Sequence, residues 1–151
     1  MKVEEHLKRS EELLDEANKA TWRARNLIRS FDYNSAVEAA QHCIELSIKA
    51  LYWLVSLVPP KPKSQNVGIE LMKIIRRLCF LDAYSYLRES LARMRWISTM
   101  WAWAHSTSMY GCLNIPASKI FKEKDAKIAI DYASDILSNC RTIFDLTSLG
   151  R

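Results

Sequence analysis

Turn-forming residues are scarce in this chain, which has only 3 glycines and 4 prolines among its 151 residues. Sandwiches, barrels and glycine-rich nucleotide loops need such residues at many turns, so the scarcity argues against those folds. Long stretches without glycine or proline favour helices of several turns. A chain of this length buries about 70% of the surface that its unfolded form exposes, so it needs neither a metal nor a disulfide to fold.

The spacing of the apolar residues predicts an all-α fold, an antiparallel up-and-down bundle of about five helices without strands. The predicted helices cover approximately residues 3–29, 35–58, 69–78, 81–110 and 122–149. The segments 59–68 and 111–121 are predicted loops, and the first is too short for a domain linker. We therefore predict one domain over residues 1–151.

Two helix ends carry recognisable signals. Ser35 stands three residues before Glu38, which is capping-box spacing, and Asn34 is an equally good cap for the second helix. Gly111 is well placed to end the fourth helix. These signals predict where the chain turns but carry no information about function.

The location and the cofactor needs of the chain follow from what the sequence lacks. No run of about 18 apolar residues occurs, so no transmembrane span is predicted. The first residues have no apolar stretch after Lys2, so no signal peptide is expected and a cytoplasmic location follows. The four cysteines form no C-x-x-C pair, so we expect no metal site and no other cofactor. They are predicted to be small buried hydrophobic residues: Cys43, Cys79, Cys112 and Cys140.

The positive charge is concentrated in one segment. The net charge is +5, and residues 61–95 hold 8 Lys and Arg against 3 Asp and Glu, whereas residues 1–60 and 96–151 are nearly balanced. This segment predicts a surface for a polyanion such as RNA or a nucleotide phosphate. A solvated face with salt bridges to acidic neighbours is the alternative. The expected contacts are Lys73, Arg76, Arg77, Arg93 and Arg95.

Several segments carry a family resemblance. The second helix reads Tyr33-Asn34-Ser35-Ala36-Val37, then Ala39-Ala40-Gln41, Glu45 and Lys49-Ala50-Leu51, and a loop Pro59-Pro60-Lys61-Pro62 follows. Near the end come Tyr110-Gly111, Pro116, Phe121 and Asp125-Ala126. In this order and spacing, the segments resemble HEPN domains, particularly archaeal ones. Glu45 and Lys49 belong to the family signature, although their spacing also suits a plain helix ion pair.

The resemblance implies an RNA-linked role and a bundle of about five helices that usually forms a homodimer. Many family members are metal-independent ribonucleases in which four to six residues separate an arginine from a following histidine. Others lack this motif and act as partners of a minimal nucleotidyltransferase in a toxin–antitoxin-like pair. The resemblance therefore leaves an enzyme and a binding module as the two main possibilities.

The ribonuclease motif is absent as written. A histidine can move protons and an arginine can stabilise the phosphate, and the candidate histidine is His105. The family spacing places the arginine at 98–100, where the residues are Ser98, Thr99 and Met100. Arg95 is ten residues from His105, about 15 Å along one helix. We expect a non-catalytic module, with catalysis by His105 and Arg95, or by an arginine from a second subunit, as one alternative and a helical oligomerisation scaffold as another.

The tryptophans have two possible uses. Trp96 and Trp103 are seven residues apart and share a helix face, whereas Trp101 lies off that face. Such rings could stack nucleic-acid bases. Packing in the core or a dimer interface is favoured, because large aromatic residues are common there.

Overall fold

Helices make up most of the chain that the computed structural model describes, namely residues 3–56, 71–78, 85–101, 107 and 111–149. They are α1 (Val3–Arg29), α2 (Tyr33–Leu54), α3 (Leu71–Arg77), α4 (Ser85–Trp101), α5 (Ala117–Ile120) and α6 (Glu123–Leu149). The described residues contain no strand, only an isolated bridge between Cys112 and Ile115. The predicted all-α class with five main helices is confirmed, and α5 is one additional turn.

The helices α1 and α2 form an antiparallel pair. The Ser10 hydroxyl of α1 donates to the Ala50 carbonyl of α2 at 2.8 Å. Further along α1, the Thr21 hydroxyl lies 2.9 Å from the Cys43 sulfur. Contacts that advance along one helix while they retreat along the other require opposite directions. The residues that α1 buries recur every three or four positions, as a helix facing a core requires: Leu13, Leu14, Ala17, Ala20 and Ala24.

The helix α6 packs against α1, α2 and α4. Arg25 of α1 donates to the Ser134 hydroxyl at 3.0 Å, and Arg141 donates to Asp15 at 3.0 Å. These pairs make α6 antiparallel to α1 and hence parallel to α2. On another side of α6, the Cys140 thiol lies 3.9 Å from the Met94 sulfur of α4. The arrangement places α6 between α1 and α4.

The turn between α1 and α2 differs from the sequence prediction. Asp32, rather than Ser35 or Asn34, caps α2, and its carboxylate accepts the Ser35 backbone N–H at 3.1 Å. Ser35 is already the third residue of the helix, so its N–H is one of the donors that need a cap. The end of α1 is a Schellman turn in which Phe31 takes a positive φ of 60° without being glycine.

The other predicted boundaries are partly met. The helix expected over 69–78 is observed as α3, and the helix expected over 81–110 begins at Ser85 as α4. Gly111 has φ 81° and its N–H bonds to the Thr107 carbonyl, as a helix-ending glycine should. The predicted loop 59–68 and the region around His105 lie outside the described residues. No helix within the described ranges combines the length and apolarity that a membrane crossing requires.

The cysteines do not behave alike. Cys43 and Cys140 are buried as predicted, whereas Cys112 is exposed, so the prediction was wrong for Cys112. Its backbone bonds to that of Ile115 across a tight turn at the surface, which leaves the side chain in solvent. Burial raises the pKa of the Cys43 and Cys140 thiols above the ordinary value of 9.0. Cys79 lies outside the described residues.

Candidate nucleic-acid interface

The arginines of α3 are exposed at the end of that helix. Arg76 and Arg77 both lie in its last turn, and α3 packs against α4. The Arg77 guanidinium donates to the Val55 carbonyl at 3.4 Å, which satisfies an acceptor at the end of α2. Arg77 therefore has a structural contact, whereas Arg76 forms no ion pair within the described part of the chain. Lys73 lies in the first half of the same helix.

The exposed face of α4 carries two more of the predicted contacts, Arg93 and Arg95. Arg93 forms an ion pair with Asp135 of α6 at 2.7 Å, and both side chains remain about half exposed. Arg95 is exposed, and among the described residues its guanidinium has no carboxylate partner. The sequence-based alternative of a salt-bridged face thus holds for Arg93 and not for Arg95.

Aromatic rings lie on the same face of α4. Trp96 is 66% exposed and Tyr86 is 53% exposed. Helical spacing places Trp96 between Arg93 and Arg95 around the helix. Trp96 therefore does not pack in the core, whereas its packing in a dimer interface stays a prediction. We call these four exposed residues the α4 surface.

Trp101 differs from Trp96. It is half-buried, and its ring meets Tyr132 of α6 edge-on with centroids 6.3 Å apart. This contact belongs to the packing between α4 and α6, as the sequence reasoning favoured. Trp103 lies outside the described residues.

Two of the three positions where the ribonuclease motif could place an arginine, 98 and 99, have described side chains on α4. Ser98 is fully buried, and its hydroxyl donates to the Arg95 carbonyl at 3.2 Å. The exposed Thr99 hydroxyl donates to the same carbonyl at 2.8 Å. The Arg95 carbonyl thus accepts two side-chain hydrogen bonds from the next turn, within a helix that runs continuously from Ser85 to Trp101. His105 itself lies outside the described residues.

The signature residues of α2 are half-buried. Glu45 and Lys49 lie one turn apart on α2. On the same face, one turn before Glu45, lies Gln41, which is only 1% exposed. Among the residues that the structure describes, neither its amide nitrogen nor its amide oxygen has a hydrogen-bond partner. Burying an amide without hydrogen-bond partners lowers stability. Gln41 entered the sequence analysis only as part of the family resemblance, and this burial was not predicted.

A second basic surface was also missed by the sequence analysis. Positive and negative charges nearly cancel over residues 1–60, but they are unevenly distributed along α1. The first half of the helix is mainly acidic, and all charged residues of its second half are basic. The cations of the second half are Lys19, Arg23, Arg25 and Arg29, and all four are exposed. A count by helix half rather than over 60 residues would have found this surface.

Metal ligation receives no support within the described ranges, where no three His, Cys, Asp or Glu side chains cluster closely enough to hold an ion. The functional groups of this interface in the described part of the chain are its basic side chains and its aromatic rings. Those groups can bind phosphates and stack on bases, and in this part of the chain they do not assemble a proton-transfer site.

The fold and these surfaces define an all-helical bundle domain with exposed basic and aromatic faces. A model of the HEPN domain family matches residues 10–143, which is most of the chain. The chain therefore belongs to the HEPN domain family and is a nucleotide- or RNA-associated helical module. No curated protein and no solved structure matches it. The single-domain limits of residues 1–151 stay a prediction.

Proposed function

We propose that this chain is a non-catalytic HEPN module that binds RNA or a nucleotide through α3 and the α4 surface. It acts as a homodimer in the cytoplasm. It is the partner of a minimal nucleotidyltransferase in a toxin–antitoxin-like pair. The expected RNA contacts are Lys73, Arg76, Arg77, Arg93 and Arg95.

The non-catalytic part of the proposal rests on one observation, the buried Ser98. The family motif needs a charged guanidinium at 98–100, and an arginine at the position of Ser98 would have to enter the core. Burying an unpaired charge is strongly unfavourable, which disfavours a motif arginine at position 98. The other two positions hold Thr99 and Met100, which carry no guanidinium. The remaining enzyme alternative, His105 with Arg95, needs two residues that are ten positions apart, about 15 Å along one helix, to meet at one phosphate.

The binding part of the proposal is supported by the exposure and charge of the α4 surface. Arg95 presents an unneutralised guanidinium, and Trp96 beside it presents most of its ring to solvent. Cations next to aromatic rings suit single-stranded RNA, since phosphates attract the former and bases stack on the latter. Arg93 can exchange its exposed contact with Asp135 for a phosphate, because an exposed ion pair contributes at most about 1 kcal/mol.

Binding can be measured by the fluorescence anisotropy of labelled single-stranded RNA in EDTA at several salt concentrations. We expect affinity to fall steeply with salt, because bound cations displace counterions from the phosphates. The Arg93→Gln/Arg95→Gln double variant should bind more weakly. Its slope of log affinity against log salt should be smaller by about 1.4, at about 0.7 for each phosphate that the variant no longer neutralises.

The matched control is the Lys122→Gln/Lys124→Gln double variant, which removes the same charge from exposed positions around the start of α6. This control should keep the wild-type affinity and slope. Equal weakening in both double variants would mean that only net charge matters. No RNA binding by the wild type would favour the oligomerisation scaffold instead.

The partnership has its own test. A minimal nucleotidyltransferase encoded beside this chain should co-elute with it after co-expression, and the chain alone should have twice its 17.5 kDa mass by light scattering. A monomer would contradict the homodimer. Separate elution of the two proteins would contradict the partnership while leaving RNA binding to stand on its own test.

A further inference from the structure

The two halves of α1 carry opposite charge. From Val3 to Glu16 the helix has 6 acidic residues against 2 basic ones, and from Ala17 to Arg29 it has 4 basic residues and no acidic one. Within the described chain, Lys19, Arg23 and Arg29 form no ion pair, so their charges are available to a ligand. A helix segment without acidic residues attracts a polyanion more strongly than an evenly mixed helix face would.

An exposed aromatic ring lies within this basic half. Trp22 is 56% exposed although it belongs to a helix that packs well elsewhere. The Arg25 guanidinium lies over the ring, with its carbon 5.9 Å from the centroid, and it also donates to Ser134 of α6. These contacts hold Arg25 beside the ring, and Ser134 is a neutral partner, so the positive charge of Arg25 is not cancelled.

Shallow grooves lie on both sides of Trp22. The outer groove, about 480 Å³, has Lys19, Trp22, Arg23, Asn26, Leu27 and Ser30 along its walls. The inner groove, about 350 Å³, runs between α1 and α6 and is lined by Asn18, Thr21, Arg25, Ser134, Leu137, Ser138 and Arg141. Each groove thus combines cations with amide or hydroxyl groups. The carboxylate beside the inner groove, Asp15, is engaged by Arg141 and is largely exposed.

We propose that the second half of α1 and the facing part of α6 form a binding site for single-stranded RNA. A base stacks on Trp22 in the outer groove, where the Asn26 amide can reach its edge. The phosphates on either side of that base contact Lys19 and Arg23 outside and Arg25 inside. Aromatic stacking between rows of cations is the arrangement by which proteins bind single strands without a strict sequence requirement.

This site is separate from the α4 surface. The inference rests on the proposed function only in its ligand, since both surfaces would bind RNA. It places that ligand on α1, whereas Arg93 and Arg95 lie on α4, beyond α6. Substitutions on the two helices therefore separate a failure of this inference from a failure of the proposed function.

The test compares two double variants of the full chain in the same RNA anisotropy assay. Lys19→Gln/Arg23→Gln removes two cations from the basic half of α1. Lys8→Gln/Arg9→Gln removes two exposed cations from the acidic half of the same helix, so both variants have the same net charge. We expect the first to weaken binding of a labelled oligouridine about tenfold, and the second to leave it nearly unchanged.

Substitutions of Trp22 test the stacking directly. Trp22→Ala should weaken oligouridine binding about tenfold, whereas Trp22→Phe keeps an aromatic face and should retain most of the affinity. Trp22 is exposed, so both variants should keep the wild-type helical circular dichroism. A specific drop for Trp22→Ala would support the site even if one of the charge variants folded poorly.

Four results would overturn the inference. The first is equal RNA affinity in the two α1 double variants, and the second is unchanged affinity in Trp22→Ala. The third is equal competition by free uridine monophosphate at the same nucleotide concentration, which would assign the site to a mononucleotide. The fourth is loss of a dimer, with RNA affinity unchanged, in Lys19→Gln/Arg23→Gln. If only the Arg93→Gln/Arg95→Gln variant weakened binding, the proposed function would stand without this site.

Discussion

The guanidinium of Arg25 lies over the indole ring of Trp22, with its carbon atom 5.9 Å from the ring centroid. The same guanidinium donates to Ser134, so one side chain joins an exposed ring on α1 to the neighbouring helix α6. An exposed cation–π contact of this kind contributes about 0.5–1 kcal/mol. The arrangement therefore orders a surface more than it stabilises the bundle.

The first prediction concerns this contact and stability. Arg25→Ala should lower the free energy of unfolding by about 1 kcal/mol, because it removes the ring contact and one exposed hydrogen bond. Urea denaturation followed by circular dichroism measures this change. Arg23→Ala, which removes a neighbouring cation without such contacts, should change stability by less than about 0.5 kcal/mol. Equal losses in the two variants would contradict a specific role for Arg25.

A second prediction concerns Gln41, the buried amide without hydrogen-bond partners on α2. Gln41→Met keeps the length of the side chain and removes the unpaired polar atoms, so it should raise the free energy of unfolding by about 1 kcal/mol. Thermal and urea unfolding experiments both measure this change in the free energy of unfolding. Gln41→Ala should instead destabilise the protein by leaving a cavity. A lower stability of Gln41→Met would mean that the amide makes favourable contacts after all.

The turn between α1 and α2 gives a third prediction, with opposite signs at adjacent residues. Asp32→Ala removes the cap of α2 and should cost about 1 kcal/mol of stability. Phe31→Gly relieves a left-handed backbone and should add about 1 kcal/mol, since glycine adopts φ near 60° without a steric penalty. Urea midpoints of the two variants should therefore lie on either side of the wild-type value.

A fourth prediction follows from the buried thiols. Burial raises the pKa of Cys43 and Cys140 above the ordinary value of 9.0, so the folded protein holds these protons more tightly than the unfolded chain does. Their contribution to stability is thus complete below pH 9.0 and is lost as the pH rises above that value. Between this value and the raised pKa of the folded state, ionisation of a thiol in the unfolded chain lowers the free energy of unfolding by at most about 1.4 kcal/mol per pH unit.

The Cys140→Ala variant is the control for this pH dependence. Its stability should fall less steeply above pH 9.0 than that of the wild type, because one of the two titrating thiols is gone. Alkylation mapped by mass spectrometry gives an independent reading. Exposed Cys112 should react in the folded protein, whereas Cys43 and Cys140 should react only on unfolding. Rapid alkylation of Cys140 in the native state would contradict its burial.

Much of the fold could be predicted from the sequence because helix periodicity is a local signal. The spacing of apolar residues predicted the helix over residues 3–29, in which Leu14 and Ala17 are buried, and Gly111 correctly marked a helix end. The cap of α2 could not be predicted in this way. Asp32, Asn34 and Ser35 are all good caps by type, and only the backbone path of the preceding turn decides which one meets the helix N–H groups.

The candidate site was harder to predict, since it depends on contacts between helices. The sequence predicted Arg93 as a contact for a polyanion. Its ion pair with Asp135 could not be predicted, because it depends on the packing of α4 on α6. Trp96 and Trp101 are the same residue type on one helix, yet one is exposed and the other packs against Tyr132. The net charge summed over residues 1–60 also concealed the basic half of α1. That half is recognised only when the charges are counted within the single helix.

The central claim is that this HEPN module associates with RNA without cleaving it. The most direct measurement incubates labelled single-stranded RNA in EDTA with the wild-type chain and with a folded His105→Ala variant. We predict intact RNA in both reactions, because the three positions at which the motif would place an arginine hold Ser98, Thr99 and Met100. Metal-independent cleavage by the wild type that disappears in His105→Ala would contradict the claim and identify a ribonuclease that uses an arginine from another position.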